Sequence, residues 1–198
     1  MMVGIARASS SGDLAVIGVT ATRSPAMIVT REQLAAAAAE VIEIGRREAE
    51  RVSGIVIGAF GDPGLQALRK AVAIPVVGLC EASMLEAASQ AGRFGVATTT
   101  PDLAPHIQQR ACDLDLSHLF VGTRLTGGDP MALSADPARL EQMLAKAAAD
   151  CFELDRAEAV IIGGGPLGQA ATALARLFER PIIAPIPAAM RRVMSLMI

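Results

Sequence analysis

The chain has no tryptophan, no tyrosine and only five phenylalanines. A pocket built from it has few aromatic walls, so stacking on a nucleobase or a flavin is not expected. With 52% hydrophobic residues the core must be aliphatic. Basic runs are also missing. The formal net charge is −2, and the pairs Arg46-Arg47 and Arg191-Arg192 fall in helical patterns that read as solvated faces. No nucleic-acid partner is expected. No apolar stretch reaches the roughly 18–20 residues a membrane helix needs, so no membrane partner is expected either. Residues 1–13 lack the basic region and apolar stretch of a signal peptide. Three widely spaced cysteines, Cys80, Cys112 and Cys151, make neither a disulfide framework nor a zinc motif, and predict a reducing, cytoplasmic setting without a metal.

What the sequence does contain is alternation. Short β-branched runs at 14–19, 54–57, 75–79, 94–97, 119–123, 159–162 and 181–184 read as strands. Helical patterns fill 31–51, 63–72, 82–91, 103–113, 137–152, 167–178 and 188–196. Strict strand–helix alternation predicts an α/β fold with parallel sheets and right-handed crossovers. The least regular stretch, 124–136, is either an active-site loop or an ordinary surface loop.

One unit occurs twice. A strand at 54–58, a small-residue turn, a helix and a Pro-initiated strand at 75 recur at 159–163 and 181. Ala59 and Gly164 fall at equivalent places, at the carboxyl ends of their strands. Two similar halves predict a pseudo-twofold protein, and ligands of open parallel sheets bind beyond strand carboxyl ends. The first turn, Phe60-Gly61-Asp62-Pro63-Gly64, offers Asp62 as N-cap and Pro63 as first helical residue. Its Phe60 and Gly61 N–H groups are candidates to hold an anion. Gly163-Gly164-Gly165-Pro166 repeats the device without an acidic cap. The structural alternative is two tight turns that only close strand–helix units. Gly163 to Gly168 is no dinucleotide fingerprint, because Pro166 interrupts it and no acidic residue ends a following strand; no cofactor is expected. Thr98 and Thr99, beside Thr100-Pro101, either cap a helix or donate to a carboxylate.

These turns carry a resemblance. Ala59 to Leu65, the stretch from Ile74 through Cys80 and Glu81, the Gly95 to Pro101 segment and the turn at 159–167 resemble hydantoin racemases of the aspartate/glutamate/hydantoin racemase superfamily. The similarity runs from about Gly12 to the last helix. It implies two flavodoxin-like halves around a cleft, residues 1–91 joined by the C-terminal helix 187–198, and residues 92–186. It also implies a small-molecule ligand, hydantoin-like or a carboxylate, held by Phe60, Gly61, Asp62, Thr98, Thr99, Gly163, Gly165 and Pro166, and a homo-oligomer.

Members of this superfamily use two cysteines, one per half, to remove and return the proton α to a carbonyl. Those positions fall on Ala59 and Gly164, which carry no proton. Each placed acid–base group contributes roughly 10²–10⁴-fold, so thiol-based racemisation is expected to be low or absent. Cys80, which ends a strand neighbouring that of Ala59, and Glu81 after it are the candidate substitute acids; inert core and helix capping are the alternative. His106 reads as a surface helix position, and His118 precedes its strand on the edge away from the cleft and has no assigned role. Arg124 reads as a carboxylate clamp or a surface ion pair. The superfamily's first strand and its Asn-Pro-Asn-Thr-Ser-like turn have no counterpart here. A misassigned start, a rearranged first half or a partner that fills the gap would each explain this. A non-catalytic binding protein or a decayed homologue is the rival to a residual isomerase.

Overall fold

The computed structural model describes residues 1–10 and 14–197. Gly12 and Asp13, where the resemblance begins and the leader window ends, and Ile198 lie outside the described residues. Helix α1 (Met2–Ala8) comes first, and residues 14–30 then form no helix and no strand. Helix α2 (Arg31–Glu48) starts where the side chains dictate. Thr30 Oγ1 accepts from the Gln33 N–H, and Gln33 Oε1 accepts from the Thr30 N–H, each at 3.2 Å. Next come β1 (Ile55–Ile57), α3 (Leu65–Ala71), β2 (Val76–Gly78) and α4 (Leu79–Gln90). The second half runs β3 (Phe94–Thr98), α5 (Ala104–Asp113), β4 (Phe120–Leu125), α6 (Pro130–Ser134), α7 (Pro137–Glu153) and β5 (Ala159–Ile162). It closes with α8 (Gly168–Leu174), β6 (Ile182–Ile183) and α9 (Pro185–Leu196).

Two parallel sheets result: β1-β2, and β4-β3-β5-β6. Strands β3 and β5 are buried along their whole length, as continuous apolar runs covered on both faces must be. The expected repeat is present as β1–α3–β2–α4 and β5–α8–β6–α9, and the closing helices α4 and α9 pack on each other. One aliphatic core joins the two sheets through Val77, Leu79, Met84, Val96, Ile161, Ile183 and Val193. A second lies under α7 and α8, from Leu144 and Phe152 to Leu174. Among the described residues no helix is long and apolar enough to cross a membrane.

Four expectations need correction. Residues 14–19 have strand-forming chemistry but pair with no strand among the described residues. Helix α4 begins at Leu79, directly after β2, so Cys80 and Glu81 lie in its first turn rather than at a strand end. Helix α3 begins at Leu65 with Gly64 as N-cap, so Pro63 precedes it and Asp62 does not cap it. The irregular stretch 124–136 contains the short helix α6, capped by Asp129 Oδ1 on the Ala132 N–H at 2.8 Å.

Candidate functional site

The first corner is the turn after β1. Gly61 (φ 133°), Asp62 (φ 54°) and Gly64 (φ 73°) reverse the chain in backbone regions that glycine and aspartate enter most readily. The Asp62 N–H closes the turn on the Ala59 carbonyl at 3.1 Å. Its carboxylate points away from the corner. Oδ1 accepts from the Cys80 N–H at 2.9 Å and Oδ2 from the Glu81 N–H at 2.8 Å, so Asp62 caps α4. Any side chain at Gly78 would collide with that carboxylate. Burial pushes the Asp62 carboxyl up to about 6, against the opposing pull of those two N–H groups and Arg110.

A buried charge network stands behind the turn. Arg110 Nη2 lies 3.2 Å from Glu81 and 3.9 Å from Asp62, while its Nε has no partner among the described residues. Arg69 grips Glu81 with both terminal nitrogens, at 3.0 and 2.5 Å. His106 Nε2 donates to the Gly61 carbonyl at 2.8 Å. His106 and Arg110 stand four residues apart on α5, so one helix face of the second half holds the corner of the first. His106, expected at the surface, is half-buried, and Arg110 is a further buried residue of this corner. Their spacing on a helix just after a Thr-Pro turn was the available signal.

The second corner follows β5. The Gly163 N–H donates to the Ala97 carbonyl at 2.8 Å, and Thr98 Oγ1 donates to the Gly163 carbonyl at 2.7 Å. Thr98 is fully buried and also meets Thr100 Oγ1 at 3.1 Å, so its hydroxyl ties strand to corner. Thr99 is buried beside it. Gly164 has φ 171°, extended backbone that any residue adopts. Gly165 is buried, and Pro166 is exposed in a single 3₁₀ turn, Gly165–Leu167.

The two corners meet. A β-carbon on Gly165 would fall 2.8 Å from the Gly58 carbonyl oxygen, and one on Gly163 would fall 3.0 Å from the Phe60 ring. The neighbours of Ala59 therefore touch the neighbours of Gly164 on both sides, and the half-buried pair is bracketed between them. The Met2 methyl reaches in from α1, 3.0 Å from a β-carbon built on Gly58 and 2.8 Å from one on Gly165. Leu167 leans over Gly164, 2.8 Å from the position of its missing β-carbon. A surface depression of about 260 Å³ lies on the other flank of the first turn, against Arg31, Leu34, Ala38 and His106.

Proton-carrying groups are scarce here. The Asp62 carboxyl is turned onto α4, and Glu81 lies between two guanidinium groups. The Cys80 thiol is fully buried and is pushed well above 9 by burial first and by Asp62 next. Cys151 is buried and pushed up to about 12 by burial, then by Asp155. Cys112 and His118 are exposed. Arg124 forms a two-pronged ion pair with Asp155 at 2.7 and 2.6 Å, which leaves no fork free for a ligand carboxylate. Among the described residues no three His, Cys, Asp or Glu side chains gather as a metal site.

Three comparisons bear on this geometry. The family model described as Asp/Glu/Hydantoin racemase matches residues 1–193. A hydantoin racemase of Rhizobium meliloti is 32% identical over 155 residues, covering 78% of this chain and 64% of its own length. The chain thus spans a little under two thirds of that relative. A hydantoin racemase of Pseudomonas sp. (strain NS671) is 27% identical over 179 residues, 90% of this chain and 72% of the relative. Among solved structures, the allantoin racemase from Klebsiella pneumoniae superposes with a TM-score of 0.93 at 27% identity, over 98% of this chain and 80% of that one.

Proposed function

The chain belongs to the Asp/Glu/hydantoin racemase family, and from that premise we propose that its two corners hold a small hydantoin-like or carboxylate ligand without the family's two-thiol chemistry. The observation that carries this reading is the bracketing of Ala59 and Gly164 by the Gly58–Gly165 and Phe60–Gly163 contacts. It supports one shared site at strand carboxyl ends, where parallel-sheet proteins bind ligands. Among the described residues the Phe60, Gly61 and Gly165 N–H groups donate to no protein acceptor, so they are free to face a carbonyl or carboxylate oxygen. The Met2 and Leu167 side chains lie against Gly165 and Gly164, and a ligand between the corners requires both to swing aside.

Racemisation at a carbon α to a carbonyl needs a base on one face and an acid on the other. Backbone N–H groups can stabilise the enolate that forms between the two steps. They cannot remove the proton. Methyl and hydrogen side chains at 59 and 164 supply neither group, and Cys80 is sealed in the core. A binding protein on the racemase scaffold is therefore favoured over a residual isomerase.

The test is a titration of ¹⁵N-labelled protein with hydantoin, allantoin and glutamate, read at the backbone amides. Saturable shifts at Phe60, Gly61, Gly164 and Gly165 with any of these support the reading. No shifts at millimolar ligand, or shifts confined to residues far from both corners, overturn it.

A further inference from the structure

The depression on the outer flank of the first turn has a chemistry that the corners do not share. Helix α2 supplies one wall, the turn a second, and His106 of α5 a third. Its volume of about 260 Å³ is below the roughly 300–1,000 Å³ of sites for larger organic ligands, so it suits a small one.

Two glycines keep it open. A β-carbon on Gly61 would fall 2.9 Å from Leu34 and 3.5 Å from His106, in the space between them. One on Gly64 would fall 2.9 Å from the Ala38 carbonyl oxygen, which is main chain and cannot yield. The turn therefore presents bare backbone to α2, and the Gly64 N–H donates to no acceptor among the described residues.

The charge it presents is of one sign. Arg31 is exposed on the rim and makes no hydrogen bond or ion pair among the described residues. Asp62 is the one acid in the lining, and its carboxylate is turned inward onto the Cys80 and Glu81 N–H groups. Glu32, next to Arg31, is not part of the lining. The floor is aliphatic, from Leu34, Ala38 and Pro63.

A guanidinium fork matches a carboxylate with two parallel hydrogen bonds. A free peptide N–H adds a third donor, and the aliphatic floor accepts a short hydrocarbon chain. A single cation suits one negative charge better than the two of a phosphate. We propose that this depression is a second binding site, for a small aliphatic carboxylate, with Arg31 holding the carboxylate and Leu34 and Ala38 the chain. The site is independent of whether the corners hold a ligand.

Titration of the ¹⁵N-labelled full chain with 3-methylbutanoate tests this, with neutral 3-methylbutanamide as a control of the same shape. Saturable shifts are expected at the Arg31 and Gly64 amides and at the Arg31 Nε, with half-saturation below about 10 mM, the range so few contacts allow. The Gly164 and Gly165 amides should not move. The neutral amide should bind about tenfold more weakly or worse, and Arg31→Gln should cost the acid as much. Ala35→Glu, at an exposed lining position, should repel the acid to a similar extent without disturbing the fold. Arg46→Gln, exposed near the other end of α2, should leave binding unchanged. No saturable shift by about 100 mM overturns the proposal. So does equal binding of the neutral amide, or wild-type affinity in Arg31→Gln or Ala35→Glu. Shifts confined to Gly164 and Gly165 would assign the acid to the corners and overturn this site alone.

Discussion

Phe60 and Gly163 touch across the two halves, with the ring 3.0 Å from where a β-carbon on Gly163 would stand. The contact exists because each residue ends its strand in a turn of small residues. A glycine at 163 lets the main chain of one half pack against the side chain of the other. On the same side Val96 Cγ1 would lie 2.7 Å from that β-carbon.

Replacing Gly163 by alanine should therefore strain the corner from two directions. We expect a loss of about 1–3 kcal/mol in folding stability, the usual range for overpacking a closed interior. Urea unfolding measures it directly. A variant as stable as the wild type would mean that the corners are looser than described.

The carboxylate of Glu40 accepts the backbone N–H groups of Thr22, Arg23 and Ser24, at 2.6, 3.0 and 2.9 Å, and fixes the segment ahead of α2. The Arg23 N–H first, with the Ser24 hydroxyl and the other N–H groups, lowers Glu40 from 4.5 to about 2. A depressed folded value means its contribution is complete above pH 4.5 and drains away as pH falls toward 2. Thermal melting of Glu40→Gln against pH should give a lower melting temperature at neutral pH and a shallower acid decline below pH 4.5.

Asp62 behaves in the opposite sense. Its carboxyl is raised from 3.8 to about 6 by burial, so its contribution is present below pH 3.8 and is lost as pH rises through 6. Difference melting between wild type and Asp62→Asn should isolate a component that declines across that window. A wild-type-minus-variant difference that is flat between pH 4 and 6 would refute this assignment.

A thiol reagent should distinguish the three cysteines. Cys112 is exposed and should react at once, whereas Cys80 and Cys151 are fully buried and should react only on unfolding. Mass spectrometry of the labelled native protein should find a single adduct, on Cys112.

Much of this architecture was legible in the residues. Strands β3 and β5 are covered on both faces, so their apolar runs mark them plainly. The repeated strand–turn–helix–strand unit pointed to matched corners at Ala59 and Gly164. The segment 14–19 misled because strand chemistry states a preference, while a strand also requires a neighbour. Asp62 misled for a different reason. Its position invited a local capping role, but the N–H groups it serves lie 18 and 19 residues further along the chain. Cys80 was placed on a strand because β2 passes into α4 with no intervening loop, leaving no turn signal to read.

Ala59 and Gly164 stand side by side at the two corners, and neither side chain carries sulfur. Gly164 has backbone any residue can adopt, and the three atoms nearest its β-carbon position all belong to Leu167, whose side chain must shift to admit a thiol. The decisive measurement is incorporation of deuterium at the α carbon of a 5-substituted hydantoin in D₂O. Wild type should exchange no faster than buffer, and the Ala59→Cys, Gly164→Cys double variant should exchange and racemise the substrate. Exchange by the wild type at the rate of the double variant, or a folded, ligand-binding double variant that exchanges nothing, would contradict it.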